Sequence, residues 1–285
     1  MGPPSKENTL DAVLERFRAA IGAPEEQIDL VEGAPLIAQT EYPRLDHAAY
    51  CRKIEEFGDE ARESCAALPA GHVAGRLAEL SRLFAERWSF HGNTEEYYDP
   101  RNSFLSDVLD RRAGLPITLS VVYIEVGRRA GLDLVGVGMP GHFLVGCANR
   151  RDLYVDAFSG GALLTPRDCA ARLRELRPDV VFRPDFLDPV GPRLILTRLL
   201  NNLLSIYRNA ERFPKALPIL EMILCLHPDE PESLRCRALV HYQLKNYARA
   251  IADLKRYLDR LPDAADREEV VQQLTVLHRL RSMVN

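Results

Sequence analysis

The sequence predicts an α+β domain followed by an all-α helical repeat, and three observations carry that prediction. Four amphipathic helical segments occupy the first ninety or so positions, and a long apolar segment opening at Pro116 precedes three short strand-like runs. From Leu194 onward the apolar pattern repeats itself: Phe213, Ala216, Leu217, Leu220, Leu224 and Pro228 recur 34 residues later as Tyr247, Ala250, Ile251, Leu254, Leu258 and Pro262. That period, with a small Ala at the crossing and a Pro closing each unit, is the tetratricopeptide pattern of stacked helical hairpins. The domain boundary is expected at 192/193, giving residues 1–192 and 193–285.

Taken in order, Asn8 to Gly22 reads as a first helix with Leu10, Val13, Leu14, Phe17 and Ile21 on one face. A second begins after Pro24 and runs toward Tyr42-Pro43, with an interruption expected near Gly33 to Pro35. Asp46 caps a third helix ending near Pro69, and a fourth spans His72 to Trp88. Loop chemistry follows at Asp99-Pro100-Arg101-Asn102. Ser103 to Arg112 is a short helix closed by Gly114. The Pro116 to Gly131 segment is rich in β-branched residues, yet its length and its Pro-to-Gly bracketing favour a helix, one apolar enough all round to be central. Leu134–Met139, His142–Cys147 and Leu153–Phe158 read as three strands whose short turns imply antiparallel pairing. A helix from Thr165 or Asp168 to Leu176 and a proline-rich connector over 177–192 complete the domain. In the second repeat unit Arg237 and His241 stand where the leading helix wants apolar residues, which weakens the pattern there.

Composition narrows the function classes. The 285 residues are 46% hydrophobic, enough for real cores, and 37 Lys plus Arg against 41 Asp plus Glu give no reason to expect a nucleic-acid partner. The start at Met1-Gly2-Pro3-Pro4-Ser5-Lys6 shows no signal-peptide pattern, and no apolar run reaches the roughly 20 residues of a membrane span. A cytoplasmic protein with no membrane partner is expected. The six cysteines lack a Cys-x-x-Cys pair and fit free thiols. His47 and Cys51 stand four apart on a helix, but two ligands do not make a metal site, so neither metal nor cofactor is expected.

The candidate site lies between Tyr97 and Phe158. A helix opening at a Pro, then a strand with His142 and another with Asp156, is the layout of a Cys-His-Asp thiol enzyme. A helix N-terminus is the natural seat for the sulfur, because its free amides and dipole favour the thiolate. That first turn reads Pro116-Ile117-Thr118, with no cysteine. Thr118 and Ser120 carry hydroxyls nearby, and Asp99, Arg101 and Asn102 cluster beside the helix as candidate binding residues or as a tight turn with an ion pair.

Four motifs then carry a resemblance. Tyr-Tyr-Asp-Pro-Arg-Asn-Ser at Tyr97 to Ser103, Arg-Ala-Gly-Leu-Pro-Ile-Thr-Leu-Ser at Arg112 to Ser120, Pro-Gly-His-Phe-Leu-Val at Pro140 to Val145 and Asp-Ala-Phe-Ser-Gly-Gly at Asp156 to Gly161 closely resemble, in order, the bacterial SirB-type family. The resemblance runs from about Glu32 to the C-terminus. It implies a transglutaminase-like (papain-like) core with a helical N-terminal layer and a short antiparallel sheet, followed by tetratricopeptide repeats. His142 and Asp156 resemble the His and Asp of the superfamily triad, whose Cys would fall at Pro116 or Ile117. The reading that follows is a non-catalytic, regulatory protein that binds a protein or peptide through its degenerate cleft and helical repeats. The alternative is a hydrolase or transamidase (an acyl transferase or peptidase) using Thr118, Ser120 or a distant Cys with His142 and Asp156.

Overall fold

The computed structural model describes residues 6–284. Its contacts divide the chain into two compact units, one of Ala19–Leu199 and one combining the N-terminal segment up to Arg18 with Leu200 onward.

In the first unit, which takes only the last residues of the opening helix, the helices come early. After α1 (Lys6–Ile21) and a 3₁₀ turn at Glu25–Gln27 come α2 (Leu30–Ala38), α3 (His47–Ala66) and α4 (Val73–Arg82). Asp29 caps α2 through Val31 N, and Asp46 caps α3 through Ala49 N, as short polar side chains do at helix starts. The interruption expected near Gly33 to Pro35 does not occur: α2 is continuous with Pro35 inside it. Proline lacks the amide that would reach back four residues to Val31, and the Val31 carbonyl oxygen instead lies 3.5 Å from the Cys51 thiol. The fourth helix ends in a π turn at Leu83–Arg87 rather than running to Trp88.

A short parallel pair, β1 (His91–Gly92) with β2 (Ala113–Gly114), frames the next loop. Between them lie a 3₁₀ turn at Pro100–Asn102 and α5 (Leu105–Arg111). Arg112 closes α5, not Gly114; it takes a left-handed φ of 61°. Its guanidinium lies over the Phe57 and Phe90 rings at 4.6 and 5.0 Å, contacts that help offset that conformation.

The central helix is α6 (Pro116–Arg129), and every residue from Pro116 to Gly127 is buried. Burial on all sides overrides the weak helix propensity of its β-branched residues. Against it lies an antiparallel five-stranded sheet in the order β6-β5-β4-β3-β7, made of β3 (Leu134–Val137), β4 (Leu144–Cys147), β5 (Arg150–Asp156), β6 (Ala162–Leu164) and β7 (Pro189–Val190). Two of these strands were not expected. β6 is too short for its alternation to be visible, and β7 begins with a proline on an edge, where no ladder amide is needed. The stretch over 177–192 is thus a sheet edge as well as a connector. His142 also moves: it precedes β4 in a turn set by Gly141 (φ +75°), its amide donating to the Met139 carbonyl. Between β6 and β7, α7 (Pro166–Leu176) is capped reciprocally by Thr165 and Asp168.

The C-terminal repeat is all helical: α8 (Pro192–Asn209), whose first turns belong to the first unit, then α9 (Phe213–Leu226), α10 (Pro231–Gln243), α11 (Tyr247–Arg260) and α12 (Arg267–Val284). Leu234, Ala238, Ala250, Ile251, Leu254, Tyr257 and Val270 build its core. The doubtful leading helix of the second unit, α10, forms fully. Arg237 reaches Glu221 on α9 and Asp253 on α11, so its charge is satisfied where an apolar residue was expected.

Candidate functional site

His142 and Asp156 are brought together. Nε2 of the ring lies 3.0 Å from Asp156 Oδ1, and both side chains are buried. No hydrogen bond closes the pair, so ring and carboxylate meet at contact distance off the hydrogen-bond line. Asp156 ends β5, and its carboxylate also accepts from the amides of Phe158 and Ser159 at 3.1 and 3.2 Å and from Ser159 Oγ at 2.9 Å. Burial pushes the Asp156 carboxyl up, but the His142 imidazole, the Ser159 hydroxyl and the Arg172 guanidinium outweigh it and hold it below the usual carboxylate range. Asp156 is therefore ionised at neutral pH and can orient the ring.

The surroundings of the imidazole are aromatic. Phe158 meets it edge to face at 6.1 Å, and Tyr97 meets Phe158 at 6.3 Å. Gly92 makes room for this stack, since a Cβ there would come within 2.6 Å of the Phe158 ring.

Arg198, on the first part of α8, holds the turn from the other side. Its Nη2 donates to the His142 carbonyl oxygen at 3.1 Å, and its guanidinium lies 5.2 Å from the Phe143 ring centre. Sequence reasoning missed this residue because it lies far along the chain, in a segment whose periodicity reads only as the start of the repeat.

Opposite the pair, α6 packs against β4 and the turn after Asp156. Its opening residues Pro116 and Ile117 are buried and apolar, and Thr118 is buried but occupied. Thr118 Oγ1 accepts from Leu115 N at 2.9 Å and lies 2.8 Å from the Asn102 carbonyl oxygen, to which it donates. Ser120, fully buried, has its hydroxyl 3.5 Å from the Phe143 carbonyl oxygen, tying α6 to the residue after His142. Thr118→Val keeps the shape but leaves the Leu115 amide and the Asn102 carbonyl with only their long 3.4 Å bond to each other; urea unfolding should report a loss of about 1–3 kcal/mol.

The loop residues divide. Asn102 is buried and binds the Glu96 carbonyl through Nδ2 at 2.7 Å, while its Oδ1 accepts from Asn93 and Arg111. It fastens the loop to the start of α6. Asp99 caps the 3₁₀ turn and pairs with Arg101, a partly exposed ion pair of the kind a tight turn makes.

Burial works against the thiolate at each of the six cysteines. Burial pushes the Cys51 and Cys169 thiols up to about 12, and it raises Cys65, Cys147, Cys225 and Cys236 as well. At pH 7 a thiol with a pKa near 12 is ionised in about one molecule in 10⁵. The arrangement thus sets an imidazole and an ionised carboxylate 3.0 Å apart.

Comparison with known proteins accords with the geometry. Residues 48–201 match the family described as the transglutaminase-like superfamily, and residues 203–275 match the tetratricopeptide repeat. A UPF0162 protein of Xylella fastidiosa is 38% identical over 243 residues, covering 84% of this chain and 86% of that protein. A UPF0162 protein of Vibrio cholerae is 27% identical over 259 residues, 88% of this chain and 93% of its own length. Human F-box only protein 21 is 24% identical over 264 residues, 81% of this chain but 41% of that protein. Among the described residues no helix is long and apolar enough to cross a membrane. The chain belongs to the transglutaminase-like superfamily, within the UPF0162 or SirB-type branch that joins such a core to tetratricopeptide repeats, an architecture that supports protein interaction.

Proposed function

We propose that this chain is a non-catalytic transglutaminase-like protein that binds a protein or peptide partner through the His142 site and its helical repeats, in a regulatory role. One observation carries the reading: the His142–Asp156 pair persists at 3.0 Å while the helix start that would supply sulfur reads Pro116-Ile117-Thr118. An imidazole beside a carboxylate, with Phe158 edge-on to it and Tyr97 against Phe158, offers a peptide partners for hydrogen bonding and stacking. The helical repeat adds a second surface of the kind that recruits protein partners. The competing enzymatic reading, through Thr118 or Ser120, is disfavoured by the backbone carbonyls that already take both hydroxyls.

Amine incorporation into a casein acceptor and hydrolysis of a peptide library should both stay at background for the wild type and for His142→Asn alike. Crosslinked partners captured by the wild-type chain should be lost or depleted in His142→Asn. Turnover by the wild type that disappears in that variant would overturn the non-catalytic reading, and capture indifferent to both His142→Asn and Arg198→Gln would remove the site from partner binding.

A further inference from the structure

Away from the His142 site, Glu32, His47 and Cys51 converge where α2 meets the first turns of α3, with one potential ligand atom from each lying within 4.8 Å of the others. The Cys51 sulfur is 3.6 Å from His47 Nδ1 and 3.8 Å from Glu32 Oε1. Zinc-to-sulfur bonds of about 2.3 Å and zinc-to-nitrogen bonds of about 2.0 Å, at a tetrahedral angle, set an S···N separation of about 3.6 Å. The sulfur-to-nitrogen spacing already present is the one a bound ion would need, with the carboxylate within 4.8 Å of both.

The ring orientation is a second, separate observation. His47 Nε2 lies 2.9 Å from the Glu32 carbonyl oxygen. A carbonyl can only accept, so in the neutral ring Nε2 carries the hydrogen and Nδ1 turns its lone pair toward the sulfur. Backbone carbonyls fix metal-binding histidines in this way. The charge around the thiol also suits a cation, since Glu32, Asp29 and Glu55 all act on Cys51 with negative charge.

We propose that Glu32, His47 and Cys51 form a zinc-class site for a divalent cation, with a carboxylate oxygen, Nδ1 and a thiolate as protein ligands and a water completing the tetrahedron. Binding the dication releases the Cys51 thiol proton to solvent and forms the sulfur-to-metal bond, with no redox change. The site clips α2 to α3, so occupancy stabilises their packing. Sequence reading stopped at two ligands because Glu32 lies on a different helix, fifteen positions before His47.

The competing role for Cys51 is to supply a weak donor to the Val31 carbonyl that Pro35 leaves without a helical partner. Titration of the full-length reduced chain with Co²⁺ distinguishes the two. The site predicts one equivalent bound with a thiolate-to-cobalt charge-transfer band and intense tetrahedral d–d absorption, both displaced by Zn²⁺. Cys51→Ser should abolish the charge-transfer band, and the exposed, fold-neutral Glu32→Gln should weaken binding by about tenfold or more. Zn²⁺ should raise the thermal midpoint of the wild type and not of Cys51→Ser. A cobalt spectrum without a thiolate band, or one unchanged in Cys51→Ser, overturns the site and leaves Cys51 as a packing thiol.

Discussion

Replacing Asp156 with Ala should lower the unfolding free energy by about 3–5 kcal/mol, because one buried carboxylate satisfies several groups at once. The Phe158 and Ser159 amides and the Ser159 hydroxyl all donate to it, and His142 lies 3.0 Å away. Alanine leaves those part-buried donors without their acceptor and opens the turn that carries Phe158 against Gly92. Asp156→Asn, which keeps one carbonyl oxygen, should cost markedly less. Urea unfolding of the full chain checks both, and equal losses in the two variants would show that charge rather than acceptor count holds the turn. The pH dependence follows from the lowered folded-state pKa. The carboxylate's stabilisation is present above its unfolded value near 4 and is lost as pH falls through the lower folded value. The stability gap between wild type and Asp156→Asn should therefore close on acidification, not on raising the pH.

In the repeat, Arg237→Met should cost about 3–4 kcal/mol even though methionine fits the tetratricopeptide pattern better than arginine. Arg237 binds Asp253 through Nε and Nη2 at 2.9 and 2.7 Å and Glu221 through Nη1 at 2.7 Å, so its removal leaves two carboxylates facing each other across α10. His241, one turn further along, shares this environment. Burial lowers its pKa to about 4, with Asp253 pulling it up and Arg237 and Arg249 pushing it down. A histidine held neutral in the fold lends stability in full above its unfolded pKa of about 6.5, and that stability is lost as pH falls toward 4. Removing Arg237 relieves one cause of the depression, so the loss between pH 7 and pH 5 should be smaller in Arg237→Met than in wild type. Unfolding midpoints at those two pH values measure it. An equal loss in the two would mean that burial, and not Arg237, sets the His241 pKa.

Much of the site was legible because its residues lie in local motifs. A proline at the first turn announced α6, whose capping depends on the neighbouring Thr118 and Leu115, and the turn glycine before His142 marked a sharp reversal of the chain. The His142–Asp156 pairing could be anticipated because consecutive antiparallel strands put nearby sequence side by side. Arg198 on the His142 carbonyl and the Arg237 bridge between α9 and α11 could not, since nothing local distinguishes an arginine that reaches into the interior from one that stays in water.

Periodicity and turn chemistry along the chain alone determined most of the element types, the repeat and the absence of a cysteine from the helix start, because each is read from residue types and spacing along the chain. Tertiary structure decided which charges are held inside, that Thr118 and Ser120 bond to backbone, that β6 and β7 extend the sheet, and that Glu32 joins His47 and Cys51. These depend on groups meeting across large separations in sequence, where burial sets the cost of leaving any polar atom without a partner.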